Sequence, residues 1–160
     1  MSERLDRVVA MFTERGNISD DTTGDVQKTA KEWLDRARAE LTVLEPILAA
    51  GQWRVAYNTS YDIYRHAAEA VDLVAGYRIL ASKGAHVATF ALASAAVEGE
   101  SDVFDAVTSS QMTGTRNSLE YLDVSNPVDV DEDAARDAGQ LAERAIDAAA
   151  SFLARSSGNT

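Results

Sequence analysis

Residues 52–82 read QWRVAYNTSYDIYRHAAEAVDLVAGYRILAS, and this stretch decides the fold class. Trp53, Tyr57, Tyr61, Tyr64, Ala68, Val71 and Ala75 step by threes and fours, the spacing that lines one face of an α-helix. Val55, Ile63, Ala67, Ala70, Val74 and Tyr77 mark a second apolar stripe. A helix apolar on more than one side is packed by neighbours around much of its circumference. The stretch therefore reads as the long central helix of an all-α bundle, running from Gln52 to Ser82.

The same periodicity extends in both directions. Upstream, Val26, Ala30, Trp33, Ala37, Leu41, Leu44 and Leu48 mark a long amphipathic helix, which Pro46 should kink or stop. Leu5, Val8, Val9 and Phe12 mark a short N-terminal helix, and Gly16 to Gly24 reads as a linker of turn and cap residues. Downstream of a break at Gly84, His86 to Val97 reads as a shorter helix. A further helix, capped by Ser101, carries Val103, Phe104, Val107, Leu119 and Leu122, with a kink or break expected near Gly114 and a stop at Asn126-Pro127. A last helix with Ala135, Ala138, Leu141, Ala145, Ala149 and Phe152 follows an Asp129/Glu132 capping box. No segment alternates convincingly with period two. The expected architecture is an antiparallel bundle of about five helices with a short extra N-terminal helix. Residues 1–22 hold that helix and its linker, 23–156 the bundle and 157–160 a tail.

Composition narrows the function. The 160 residues carry a formal charge of −11, so the overall field repels a phosphate backbone, and any RNA contact needs a local basic pocket. There is no cysteine, which removes disulfides and thiolate metal sites and fits a reducing compartment. No apolar run reaches the roughly 18 residues of a membrane span, and the N-terminus mixes acids and bases as no signal peptide does. A cytoplasmic protein with no membrane partner is expected. The sequence has no Gly-rich phosphate loop and no Glu-x-x-His, and its only histidines are His66 and His86. Neither a metal site nor a cofactor is expected, and the common classes of metabolic enzyme are disfavoured.

Three blocks carry a resemblance. The first is Ala56 to Ala70, containing Tyr57, Tyr61, Tyr64, Arg65 and His66, followed by Gly76-Tyr77-Arg78. The second is Lys83-Gly84-Ala85-His86, and the third is Arg116-Asn117-Ser118-Leu119-Glu120-Tyr121 before the final helix with Ala142-Glu143. In that order and spacing, over roughly residues 26–155, the chain resembles a HEPN domain. The resemblance implies a bundle of four or five helices, usually dimeric. Many members of that family are metal-independent RNases of toxin–antitoxin, phage-defence and CRISPR-linked systems. Their motif is an Arg, a polar residue and then a His, which the two protomers bring together at the dimer interface.

Carried over by that resemblance, the motif residues here are Arg116, Asn117 and Tyr121. Metal-free RNA cleavage needs a base for the 2′-hydroxyl proton and a cation for the phosphate charge. Arg116 suits the second task through its permanently charged planar fork. Tyr121 stands where active members carry His, and a phenol of ordinary pKa is a poor base at neutral pH. His66 is the substitute base if it lies near Arg116.

The plainer readings are a surface Arg116 paired with Glu120, a packing tyrosine at 121, a tyrosine stripe that serves the core or a dimer interface, and a satisfied His66. His86 reads as a helix-start residue, and the acidic run at 129–133 as a complement to the helix dipole. The leading expectation is a catalytically degenerate, homodimeric HEPN-like module acting through an antitoxin or other protein partner in a toxin–antitoxin, defence or RNA-processing system. The alternatives are an active metal-independent RNase using Arg116, with RNA as its partner, and a helical protein-interaction module unrelated to RNA.

Overall fold

The computed structural model describes residues 2–22, 24–121 and 128–157. It is an all-α bundle. The elements in chain order are α1 (Glu3–Glu14), β1 (Ile18–Ser19), α2 (Val26–Ala49), α3 (Trp53–Val74), β2 (Arg78–Ile79), α4 (Ala85–Ala96), α5 (Ala106–Glu120) and α6 (Glu132–Ser157). Helix α3 is the hub, packed against α2, α6, α4 and α5. Both stripes of its sequence are used: Tyr61, Ile63, Tyr64, Ala67, Ala68, Ala70 and Val71 are all buried. Full burial of a side chain the size of Ile63 contributes about 1.5–3 kcal/mol, so α3 is the largest single source of hydrophobic stabilisation.

This helix is shorter than its apolar pattern. It stops at Val74 because Gly76 takes a left-handed φ of +95°, which lets the Tyr77 N–H reach the Asp72 carbonyl at 3.0 Å and the Gly76 N–H reach Leu73 at 3.0 Å. The remainder of the predicted helix, through Ser82, is β2 and a connecting turn. Strand β2 pairs antiparallel with β1, Ile18 opposite Ile79 and Ser19 opposite Arg78. Residues 17–19, within the expected linker, are thus part of the folded structure. Asn17 is buried, donates through its amide to Ser82 Oγ at 2.8 Å and Lys83 O at 3.0 Å, and accepts the Leu80 N–H at its carbonyl. Two-residue strands are too short to show a period of two.

Four boundaries also differ from the sequence reading. Helix α2 continues through Pro46 to Ala49. Thr42, whose carbonyl would have taken the missing N–H, lies on the exposed face, where water can serve it. Helix α5 is capped by Asp105, which accepts from Val107 N at 2.7 Å and Thr108 N at 2.9 Å, while Ser101 only closes the preceding turn onto Val103. Val103 and Phe104 plug the core from that turn. Helix α5 then runs unbroken past Gly114. Helix α6 is capped by Asp131, which accepts from Ala134 N at 2.9 Å, so no capping box forms on Asp129. The helix extends to Ser157, one residue into the expected tail. Leu122 and the Asn126-Pro127 stop lie outside the described residues.

Helix α1 docks on its own bundle. Leu5 packs with Leu92 and Ala95, and Phe12 with Ile18 and Ala88. Among the described residues no helix is long and apolar enough to cross a membrane.

Candidate functional site

Helix α5 presents Arg116 toward α3. The guanidinium meets Glu120 one turn on at 2.5 Å, and its central carbon lies 5.5 Å from the centre of the Tyr61 ring. The side chain is 26% exposed, so the cation is neither buried nor spread on an open surface. The i, i+4 pair foreseen from the sequence is present, and it is joined by a cation–π contact that the sequence did not reveal.

The other motif residues point elsewhere. Tyr121 is the C-terminal cap of α5, in extended backbone, and its side chain is 72% exposed. Asn117 lines a groove of about 400 Å³ between α1, α4 and α5, beside Val8, Phe90 and Phe104. Arg116 is not among the residues of that groove. Arg116, Asn117 and Tyr121 therefore do not converge on one cleft within the chain.

His66 is also committed. It is 2% exposed, its Nδ1 is 3.0 Å from Glu40 Oε2, and its Nε2 is 3.3 Å from an Arg65 nitrogen. Because a guanidinium can only donate, Nε2 must accept, and the ring proton sits on Nδ1 facing Glu40. Burial lowers the His66 pKa below its ordinary value against the opposing pull of Glu40, and Arg65 lowers it further. The neutral ring thus has both nitrogens occupied. Trp33 stacks on it with ring centres 4.8 Å apart, which completes a structural network rather than a base waiting for a substrate.

The histidine that does approach Arg116 is His86. Its Nδ1 is 3.1 Å from the hydroxyl of Tyr61, the ring that Arg116 covers. Burial lowers its pKa, and the charges of Arg65 and Arg116 lower it further. Burial raises the pKa of Tyr61, opposed first by the Thr113 hydroxyl and then by Arg116, so the phenol keeps its proton and has one to give to Nδ1. In that arrangement the second proton of the pair rests on Nε2 of His86.

No family model, no characterised protein and no solved structure matches this chain.

The chemistry must accordingly be read from the residues themselves. Arg116, Tyr61, His86 and Arg65 form a small polar seam across α3, α4 and α5. Arg65 is held by Glu69 at 2.6 Å, with Asp62 3.9 Å away. Each cation in the seam has a carboxylate within reach, so the local charge is close to balanced. Among the described residues no group of three or more His, Asp or Glu side chains converges as metal donors would. The sequence signal for His86 was its place in the Lys83-Gly84-Ala85-His86 block. Its contact with Tyr61, 25 residues away, depends on how α4 folds back on α3, and no local pattern encodes that.

Proposed function

We propose that this chain is a HEPN-type helical-bundle module whose cleavage chemistry has been lost. In this reading it is a homodimer that works through protein partners in a toxin–antitoxin, defence or RNA-processing system. One observation carries the reading. Arg116 is taken by Glu120 and Tyr61, while Tyr121, in the position of the family's histidine, lies exposed at the helix end. A cation paired with a carboxylate at 2.5 Å gives little phosphate affinity in a protein of net charge −11. The homodimer has its support on α4 and α5, where Val87, 62% exposed, lines the Asn117 groove and Val107, 76% exposed, follows Ala106 of that groove in sequence.

A second reading is a metal-independent RNase that uses Arg116, with His86 as its base once Tyr61 gives up the hydroxyl contact that occupies Nδ1. Incubation of the protein with tRNA and total RNA in EDTA, beside Arg116→Ala and His86→Ala, separates the two. Intact RNA in every lane is the expected result. Cleavage that survives EDTA and disappears in both variants would replace the degenerate module with an enzyme. Sedimentation of the protein beside Val107→Glu tests the dimer: the variant should run as a monomer, and a monomeric parent would remove the dimeric part of the reading.

A further inference from the structure

A cavity of about 480 Å³, lined in part by His86 but not by Arg116, lies between α2, α3, the β2 turn and the start of α4. Its walls are largely apolar, with Trp33, Leu73, Tyr77 and Leu80 among the lining residues. Volumes of this size hold small organic ligands. Asp72, from the last turn of the chain's most buried helix, belongs to the same lining. It is 1% exposed, and neither carboxyl oxygen has a hydrogen-bond partner. A buried carboxyl without a partner is rare in folded proteins and calls for an explanation.

The fold does not supply one. The nearest acid on the same face, Glu69, is held by Arg65 at 2.6 Å, and Arg65 also bonds to His66, so that guanidinium is engaged two turns away. The Thr89 hydroxyl, also in the lining, donates to the Ala85 carbonyl at 3.1 Å. The stripe Arg65, Glu69, Asp72 and Leu73 runs along the cavity wall, and of its polar members only Asp72 is unmatched.

We propose that this cavity binds a small organic cation of the amidinium or guanidinium type, with a flat apolar body held against Trp33 and Tyr77 and two N–H donors taken by Asp72. A carboxylate matches such a fork with two parallel hydrogen bonds, which is why paired N–H donors fit better than a single alcohol or amide. Both oxygens are shielded from the cavity, so binding of this ligand requires the carboxyl to turn toward it. Burial raises the Asp72 pKa well above the usual carboxylate range, which favours the protonated form until a cation pairs with it. A cation that pairs with Asp72 displaces the proton to solvent, so the net charge of a wall that also carries Arg65, Arg78 and Glu69 is unchanged on binding. The inference does not rest on the HEPN-type reading, because neither Arg116 nor Asn117 lines this cavity.

The test uses benzamidinium as the probe and neutral benzamide as its isostere. Titration into ¹⁵N-labelled protein should shift the Trp33 indole N–H and the amides of Leu73 and Thr89, with benzamide leaving them in place. Asp72→Asn should bind benzamidinium about tenfold or more weakly, the loss expected for a charge-assisted pair, with its amide spectrum otherwise intact. Ala81→Trp, on the exposed turn that lines the cavity, should block the probe while leaving Asp72 in place. No shift up to about 10 mM, a weak limit for so small a cation, would overturn the proposal. Equal binding of benzamide, or equal binding to Asp72→Asn, would overturn it as well, since the Asp72 carboxylate would then play no part in recognition.

Discussion

The guanidinium carbon of Arg116 lies 5.5 Å from the centre of the Tyr61 ring, so α5 is fastened to α3 by a cation on an aromatic face. Elsewhere α5 buries only Ser109, Met112 and Leu119, which makes this contact a sizeable part of its attachment. Arg116→Ala should destabilise the fold by about 1 kcal/mol, the sum of a partly exposed cation–π contact and a surface ion pair. In a domain of this size that lowers Tm by about 2–4 °C. Glu120→Gln should cost less, since it leaves the stacking in place. Thermal melts of the two variants check the order, and an Arg116→Ala melt identical to that of the parent would mean that the contact contributes nothing in solution.

Asp72 makes a separate claim about pH. Its folded-state pKa is raised by burial, and the Glu69 charge raises it further. The folded chain therefore binds a proton that the unfolded chain gives up at ordinary carboxylate pH. The stability linked to Asp72 is fully present below about pH 3.9 and is lost as pH climbs from there toward the folded-state pKa. Asp72→Asn removes the titration. The variant should gain on the parent as pH rises from 5 to 8, by at most about 1.4 kcal/mol per pH unit, the limit for one proton. Urea unfolding at the two pH values reads the difference, and a gap that stays constant or narrows would contradict the assignment.

Much of the fold was legible because helical periodicity reports burial directly. Tyr57, Tyr61, Tyr64 and Ala68 were read as one face of the central helix and are all in the core. Local chemistry that competes with periodicity was harder to read. The apolar pattern of Tyr77 and Ile79 continues past Gly76, yet the left-handed glycine turns that run into a strand. Val103 and Phe104 kept helical spacing while serving as plugs in a turn, because the next helix is capped by Asp105, downstream of them, and not by Ser101. The site was the least legible part. Residues 116, 117 and 121 are neighbours in sequence, but a step of one turns about 100° around a helix, which sends Arg116 toward Tyr61 and Asn117 into another groove.

The two helical glycines at 114 and 139 should respond to alanine with opposite signs. At Gly114 a new Cβ meets nothing within 4 Å and φ is not left-handed, so Gly114→Ala gains helix propensity and should stabilise by about 1 kcal/mol. At Gly139 the same carbon would come within 2.9 Å of Leu44 Cδ2, where α6 crosses α2. Leu44 is buried and must change rotamer, so about 1–3 kcal/mol of overpacking offsets the propensity gain and Gly139→Ala should be neutral to destabilising. Trimming the neighbour in Gly139→Ala/Leu44→Ala should recover part of the loss as a positive coupling. A stabilised Gly139→Ala would show that the α2–α6 contact is looser than 2.9 Å implies.

Restoring the family's residue should not restore its chemistry. Tyr121→His places an imidazole of ordinary pKa at the end of α5, but the position is 72% exposed and Arg116, one turn back, remains paired with Glu120 and seated on Tyr61. General-base catalysis requires the base within hydrogen-bond reach of the proton and the cation facing the same phosphate. The expected outcome is unchanged RNA in EDTA with Tyr121→His, together with an unchanged Tm, because an exposed ring contributes little packing. Adding Glu120→Gln frees the guanidinium from its carboxylate while leaving it on the ring. If the double variant cleaves RNA and the single one does not, the ion pair is what silences the motif. If Tyr121→His cleaves alone, loss of the histidine was the whole of the lesion and the pairing of Arg116 is incidental.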